Sequence, residues 1–335
     1  MTKRSKKKRV RAEPTLAPPP LIASRDRSLW ISLLLAIAAL TVYLPSLSSD
    51  FVYDAHKEIV EEGFITSISN LPDVLSLKVL GMNLMLADRP GQLLYLMLIA
   101  VFSGKEPFGY HLCSDLLHAV NVALLFVLLI RLIASEIRGF DRGKPWMLLL
   151  TSTAAALIFA LHPLSVESVA EVSYSSSLLV AFFTLAALLS ATFFDPQSKR
   201  TALLVGSLGT LCALGAVTAK ESGIAAPLLL GIYWFIYRRH ESKGPWIGFL
   251  ASASAVSAAF LAARFEFAAP DTGHPSYLGG AFSQVFFIQP RLWVFMMGKM
   301  IWPVGLSADY TPLDQIGPPT VLAFGILVAV VALQS

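Results

Sequence analysis

The sequence predicts an all-α, polytopic integral membrane protein with about eight or nine transmembrane helices and interfacial helices in its first outer loop. Three observations predict it. Only 14% of the 335 residues are charged while 55% are hydrophobic, too few charges to clothe a water-soluble domain. The mean hydropathy is +0.65. Apolar runs of about 17–20 residues recur, each bounded by charges, Pro or Gly; at about 1.5 Å per residue they match a hydrocarbon core about 30 Å thick. A β-barrel would show short alternating segments instead.

The elements follow in order. The opening, MTKRSKKKRVR, carries Lys3, Arg4, Lys6, Lys7, Lys8, Arg9 and Arg11. Without it the net charge of +4 becomes slightly acidic. Such a tail can bind nucleic acid, but beside a membrane helix it keeps the N-terminus cytoplasmic and meets anionic lipid; no nucleic-acid partner is expected. With the Pro-rich stretch AEPTLAPPP it makes residues 1–28 a disordered tail and linker, and residues 29–335 the transmembrane domain.

Leu29–Leu47 is too long for a signal-peptide core and reads as a retained anchor. A long polar loop follows, Ser48 to Gly91, in which NLPDVLSLKVLGMNLML suits an interfacial helix. GQLLYLMLIAVFSG is too short to span and reads as interfacial or re-entrant. Further spans are His111–Leu132, Met147–Leu161, Leu178–Phe194, Thr201–Thr218, Gly223–Tyr237 and Trp246–Ala263. Alternating them from a cytoplasmic N-terminus puts Arg131, Arg138, Arg142, Lys144, Lys199, Arg200, Arg238, Arg239 and Lys243 inside, as the positive-inside rule requires. Beyond, VFFIQPRLWVFMMGKMIW spans or lies in the interface, and Thr320–Leu333 starts a last helix. Cys113 and Cys212, both within apolar runs, read as small packed hydrophobes.

Ionisable groups at membrane depth need a reason. His111, Asp115 and His118 are spaced four and three apart and share one helical face. They read either as a polar contact between helices or as a polar wall below an outward-facing cavity. The outer loops carry a second set: Asp50, Asp54, His56, Lys57, Glu58, Glu61, Glu62, Arg89, His162, Glu167, Glu171, Lys220, Glu221, Arg264, Glu266, Asp271 and His274. The topology gathers all of these on one membrane face. A charge run in a loop is usually only a solvated face, but AKES is a single charged pair between two apolar helices and so sits at the membrane boundary. A Lys there can hold a phosphate as a point charge. A polyprenyl-phosphate enzyme needs this pattern: cations to neutralise the departing phosphate, and a carboxylate to take a proton from the acceptor or orient it. Asp54 with Arg89, Lys220 and Arg264 supplies the parts.

FVYDAHKEIVEEGFI, DRPGQLLYL, PFGYHLCSDLLHAVNVALLFVLL, HPLSVESVAEVS, AKESGIAAPLLL and WPVGLSADY occur in that order. Together they resemble the membrane half of the transmembrane and tetratricopeptide-repeat glycosyltransferases, a group of O-mannosyltransferases within the GT-C superfamily. The resemblance implies a transferase that moves a sugar such as mannose from a polyprenyl-phosphate carrier to a protein or glycan acceptor on the non-cytoplasmic face. It implies a catalytic acid in the first outer loop, where Asp54 matches the first of two adjacent acids and Ala55 stands in place of the second. Arg89–Pro90, His162–Pro163 with Glu167, and Lys220–Glu221 match the family's motifs.

Three departures stand out. Tyr174–Ser177 (YSSS) replaces a segment that carries a base and an acid in the family, Asp115 takes a normally apolar position, and the transmembrane domain is expected to end without the soluble repeat domain. The resulting expectation is Asp54 as the catalytic group. Arg89, Lys220 and Arg264 would bind the lipid phosphate, and Glu221, His162, Glu167, His111, Asp115 and His118 would line the donor site, with Glu58, Glu171 and Asp115 offering carboxyls to make up for Ala55. No compact ligand set demands a divalent metal. The alternative is an inactive GT-C-like subunit with an assembly role and a membrane-protein partner. A transporter fits less well, since no paired inverted halves occur. A bacterial plasma membrane and an endoplasmic-reticulum membrane are equivalent hosts.

Overall fold

The computed structural model describes residues 25–136, 145–267 and 282–307, together with 322 and 325. Asp271, His274, Arg138, Arg142, Lys144, the basic tail and nearly all of the last predicted helix lie outside these. Among the described residues every regular element is helical, and the chain is an all-α, multi-pass membrane protein. Helices long and apolar enough to cross a bilayer cover Asp26–Ser48, Pro107–Ala134, Val172–Ala191, Lys199–Ala219 and Lys243–Phe267.

The α-helices are α1 (Arg25–Tyr43), α2 (Leu71–Leu75), α3 (Pro90–Ser103), α4 (Pro107–Glu136), α5 (Pro145–Leu161), α6 (Ser165–Ala170), α7 (Ser175–Ala191), α8 (Lys199–Ala219), α9 (Ala225–Tyr233), α10 (Lys243–Phe267) and α11 (Phe282–Ile301). Several start where the sequence marks a start. Pro occupies the first position of α3, α4 and α5, where its missing N–H costs nothing. Ser198 caps α8 by accepting from the Thr201 N–H.

Two cores hold the bundle. One joins α1, α4 and α5 through Leu35, Val122, Phe126 and Leu148. The other joins α7, α8, α9 and α10, with Phe194, Trp246 and Phe249 in ring contact. Small residues set the spacing. A Cβ on Gly209 would lie 2.4 Å from the Phe249 ring, and one on Gly215 would lie 2.7 Å from that of Phe183.

A third core sits under the long first loop, where Phe51, Ala55, Ile59, Val74 and Val79 pack against Leu93, Leu96 and Met97 of α3. Both ends of α3 are on the loop's side of the molecule: Arg89 faces Glu221 at one end, and Lys105, just past the other, donates to the Val60 carbonyl. At 14 residues, about 21 Å, α3 lies across one end of the bundle.

The loop itself departs from the sequence reading. In place of one interfacial helix over residues 70–86 there is a single α-turn, α2, and a 3-10 turn at Lys78–Gly81. The break falls at Leu77, whose φ of 60° is left-handed and cannot continue a right-handed helix. The sixth span is likewise composite: a 3-10 turn at Glu221–Ile224, α9, and a π-helical turn at Trp234–Arg238.

At the bundle's other end, Arg131 donates to the Thr192 hydroxyl and carbonyl. Arg238 pairs with Glu241 at 2.7 Å, and Trp246 donates to the same carboxylate at 2.8 Å. Arg131 and Arg238, both assigned to the inside by sequence, therefore lie at the end of the bundle opposite the long first loop.

Candidate functional site

The charged residues at the loop end are positioned by tight backbone contacts. A Cβ on Gly91 would lie 2.7 Å from the Thr218 hydroxyl and 2.8 Å from the Ala219 nitrogen. The start of α3 can thus press against the end of α8 only because residue 91 has no side chain. This brings Arg89, the residue before α3, beside Lys220, the residue after α8. The turn that follows closes on the same helix: a Cβ on Gly223 would meet the Ala216 carbonyl at 2.2 Å. The motifs RPG and KESG are therefore one interlocked contact.

Across this contact runs a network of ion pairs. Arg264, near the end of α10, pairs with Asp88 and with Glu221 at 3.2 Å. Arg89 approaches the same Glu221 oxygen at 3.8 Å. Burial opposes the Glu221 charge, but its own backbone N–H, Arg89 and Arg264 outweigh this and hold the carboxyl below the ordinary glutamate range. Lys220 differs from the two arginines. Its Nζ donates to the Ser177 hydroxyl at 3.1 Å, and among the described residues no carboxylate lies within ion-pair distance. Burial, and then the positive charge of Arg89, push its pKa down, against the weaker pull of Glu221 and Glu167.

Asp54 is exposed, and the carboxyls it influences are Glu58 and Glu171. Tyr53, the residue before Asp54, is left-handed with φ 50° and 77% exposed. A bulky residue seldom adopts that conformation, and strain of this kind collects at functional sites. A π-helical turn, His56–Glu61, follows; single π turns also recur at functional sites. Ala55 is fully buried in the loop core, so the position where the resemblance implies a second acid points into hydrocarbon side chains.

The acid that does face inward is Glu58, one turn on and 3% exposed. Its Oε2 accepts from the Ser173 hydroxyl at 3.0 Å. The Ser173 N–H is directed at Glu171 Oε1, at 3.4 Å, and the Ser173 carbonyl accepts from Gln92 at 2.7 Å. Burial pushes the Glu58 carboxyl up to about 7; Asp54 and Glu62 add to this, while Ser173 and Arg89 oppose it. Burial likewise raises Glu171, with Asp54 and Glu167 adding to it against the hydrogen bonds from Ser173. Asp54 thus acts on Glu58 and Glu171, Glu58 feels Arg89, and Arg89 acts on Lys220 and Glu221, a chain of charged neighbours from the first loop and the end of α6 to the start of α3 and the end of α8.

The remaining expected residues are placed differently. His111, Asp115 and His118 are buried, on the face of α4 turned toward α1, the residues just after it, and α5. Asp115 accepts from Ser46 at 3.0 Å. His118 sits 3.2 Å from the Ala160 carbonyl and edge-on to Tyr43, and His111 stacks on Phe51. Among the described residues no hydrogen bond or ion pair links the three to Asp54, Arg89, Lys220, Glu221 or Arg264. His162 accepts the Leu164 N–H at Nδ1, which leaves Nε2–H to donate to the Met300 carbonyl at 2.9 Å; it ties α5 to α11. Glu167 is exposed on α6. No three His, Cys, Asp or Glu side chains gather as a metal site requires among the described residues.

Sequence reasoning named Arg89, Lys220, Glu221 and Arg264, and the structure brings these together. It missed Asp88, Gln92, Ser173 and Ser177, which are polar residues of ordinary types without a spacing signal.

An all-α, multi-pass membrane protein with acids and cations collected at one end of the bundle is the class these features define. No family model and no solved structure matches the chain. Curated proteins do match, and the chain is a relative of protein O-mannosyl-transferases. It is 29% identical over 199 residues to "Protein O-mannosyl-transferase Tmtc1" of Drosophila melanogaster, covering 58% of this chain and 21% of the relative. It is 28% identical to the human "Protein O-mannosyl-transferase TMTC4", over 58% of this chain and 28% of that protein. To the Caenorhabditis elegans "Protein O-mannosyl-transferase F38B6.6" it is 25% identical, over 86% of this chain and 40% of the other. The chain therefore spans about a fifth to two fifths of these relatives' length, and the resemblance read from its motifs is met by their names.

Proposed function

We propose that the chain is a membrane glycosyltransferase that moves a sugar, mannose being the first candidate, from a polyprenyl-phosphate carrier to a protein acceptor on the non-cytoplasmic face. One observation carries this reading: an exposed acid on a strained turn, Asp54, shares its end of the bundle with Arg89 and Lys220. The relatives' names supply the sugar and the acceptor class. The isoprenoid tail stays in lipid while its phosphate meets the cations at the membrane boundary. Arg89 and Lys220 neutralise the phosphate as the sugar leaves. Arg264 holds Glu221 and Asp88, and so fixes the turn that carries Lys220. Asp54 accepts the proton of the acceptor hydroxyl. His162 and Glu167 flank the donor side, and the His111, Asp115 and His118 face supports the loop from below. In this orientation the N-terminus is cytoplasmic, in either a bacterial plasma membrane or the endoplasmic-reticulum membrane.

The test is transfer of labelled mannose from a polyprenyl-phosphate donor to acceptor peptides by the purified chain in micelles. Donor-dependent labelling supports the reading. The buried Ala55 favours a second reading, a non-catalytic subunit with an assembly role. That reading expects neither labelling nor any rise in melting temperature with donor.

A further inference from the structure

On the outer surface of the bundle, α8 and α10 part to leave an apolar groove of about 520 Å³. Its walls are Ala202, Gly206 and Thr210 of α8 and Pro245, Gly248 and Ser252 of α10. These positions recur every three or four residues, so each wall is one helical stripe. Small residues make the room. A Cβ on Gly248 would meet no atom within 4 Å, so its missing side chain leaves open space and not a helix contact.

The groove has the depth of one leaflet. From Ala202 to Thr210, α8 rises about 12 Å, against about 15 Å for half of a hydrocarbon core. At the far end the Thr210 and Ser252 hydroxyls bond at 2.8 Å from wall to wall. At the near end both helices begin side by side, with the Phe194 and Trp246 ring centroids 4.4 Å apart. A partner's transmembrane helix would need the whole thickness, about 30 Å. A single acyl chain does not.

The near end is basic. Lys199 opens α8 and stands three residues before Ala202, on the same stripe. Arg200 stands in the same relation to Leu203, which also lines the groove. Lys243 opens α10, two residues before Pro245. All three are exposed, and among the described residues none has a salt-bridge partner. Two acids flank this stretch and are engaged: Asp195 accepts the Gln197 N–H at 2.9 Å, and Glu241 holds Arg238 and Trp246.

We infer that this groove is a binding site for one anionic glycerophospholipid, its acyl chain between α8 and α10 and its phosphate on Lys199, Arg200 and Lys243. The apolar walls take the chain out of competition with water, and the basic side chains hold the head. The leaflet at this end, cytoplasmic in the orientation proposed above, is the one rich in anionic lipid. The site lies at the opposite end of the bundle from Asp54, Arg89 and Lys220, and it needs no transferase activity. It bears on that end all the same. Lys220 directly follows α8 and Arg264 lies near the end of α10, so a lipid seated between their starts braces both helices.

The experiment gives the purified, delipidated full chain in micelles either phosphatidylglycerol or phosphatidylcholine with the same acyl chains. Native mass spectrometry counts the retained lipid, and the melting temperature is recorded beside it. One phosphatidylglycerol per chain is expected, with weaker retention of phosphatidylcholine. Gly248→Leu fills the groove with a better helix former and should abolish retention without loss of stability in bare micelles. Lys199→Gln combined with Arg200→Gln should weaken phosphatidylglycerol binding about 25-fold, about fivefold for each charge, and leave phosphatidylcholine unchanged. Wild-type retention by a folded G248L overturns the inference, since surface charge alone then holds the lipid. Equal retention of the two lipids by the wild type, or wild-type retention by the double variant, overturns it too. Should G248L fail to fold, the smaller Gly248→Val takes its place with the same expected loss. A lower oligomeric mass in G248L with lipid retention unchanged assigns the groove to a second copy of the chain and overturns the lipid site.

Discussion

Replacing Glu58 by Gln should stabilise the protein in alkaline buffer and do little in acid. Glu58 is 3% exposed and accepts its hydrogen bond from Ser173 at 3.0 Å. Glutamine offers the same carbonyl acceptor at nearly the same volume, so the bond survives. What the substitution removes is a charge. Burial raises the carboxyl from 4.5 to about 7 in the folded protein. The sign follows from linkage. A carboxyl raised on folding binds its proton more tightly when folded, so stability falls as pH rises from about 4.5 and levels off above about 7. Two and a half pH units amount to about 3 kcal/mol above that window. Glu58→Gln should recover most of this at pH 8, seen as a rise of several degrees in the melting temperature of the micellar protein. The gain should shrink to nothing near pH 4.5. A variant less stable than wild type, by more at pH 8 than near pH 4.5, would refute the reasoning, because it would mean that Glu58 is ionised and paired in the folded loop.

Other outcomes follow from the same contacts. Gly223→Ala drives a Cβ to within 2.2 Å of the Ala216 carbonyl; backbone must move, and a loss of about 1–3 kcal/mol in thermal unfolding is expected, whereas an unchanged melting temperature would mean that the turn is loose. Ala55→Asp restores an acid pair in sequence but places a carboxylate in the loop core, so a fall in melting temperature of several degrees is expected; full stability would contradict the packing of this loop. Arg264→Gln should cost about 1 kcal/mol, since its pairs with Asp88 and Glu221 are partly exposed. The Glu221 carboxyl should then titrate at higher pH, an effect carbon NMR can read.

The spans were legible because bilayer thickness fixes their length, and the end at which charges gather was legible because basic residues sort by loop. Arg89, Lys220 and Glu221 could be chosen from sequence since Arg89 stands directly before Pro90 and the Lys220–Glu221 pair lies between two apolar helices. The neighbour across a helix face was not legible. Spacing puts His111, Asp115 and His118 on one face of α4, but only packing shows that this face meets Ser46, Tyr43 and Ala160. Glu58 could be listed but not ranked, because a π turn and the left-handed Tyr53 decide which acids of DFVYDAHKEIVEE turn inward. The broken helix at Leu77 was hidden for the same reason: a non-glycine residue at positive φ is imposed by tertiary contact and leaves no mark in composition.

The most direct measurement is the rate of mannose transfer from a polyprenyl-phosphate donor by Asp54→Asn beside wild type, with the melting temperature of both recorded. Asparagine keeps the size of the side chain and removes the base. A fall of about 10²–10⁴-fold at unchanged stability is the expected result. Transfer by Asp54→Asn at the wild-type rate would contradict the assignment of the outer-loop acid to the chemistry.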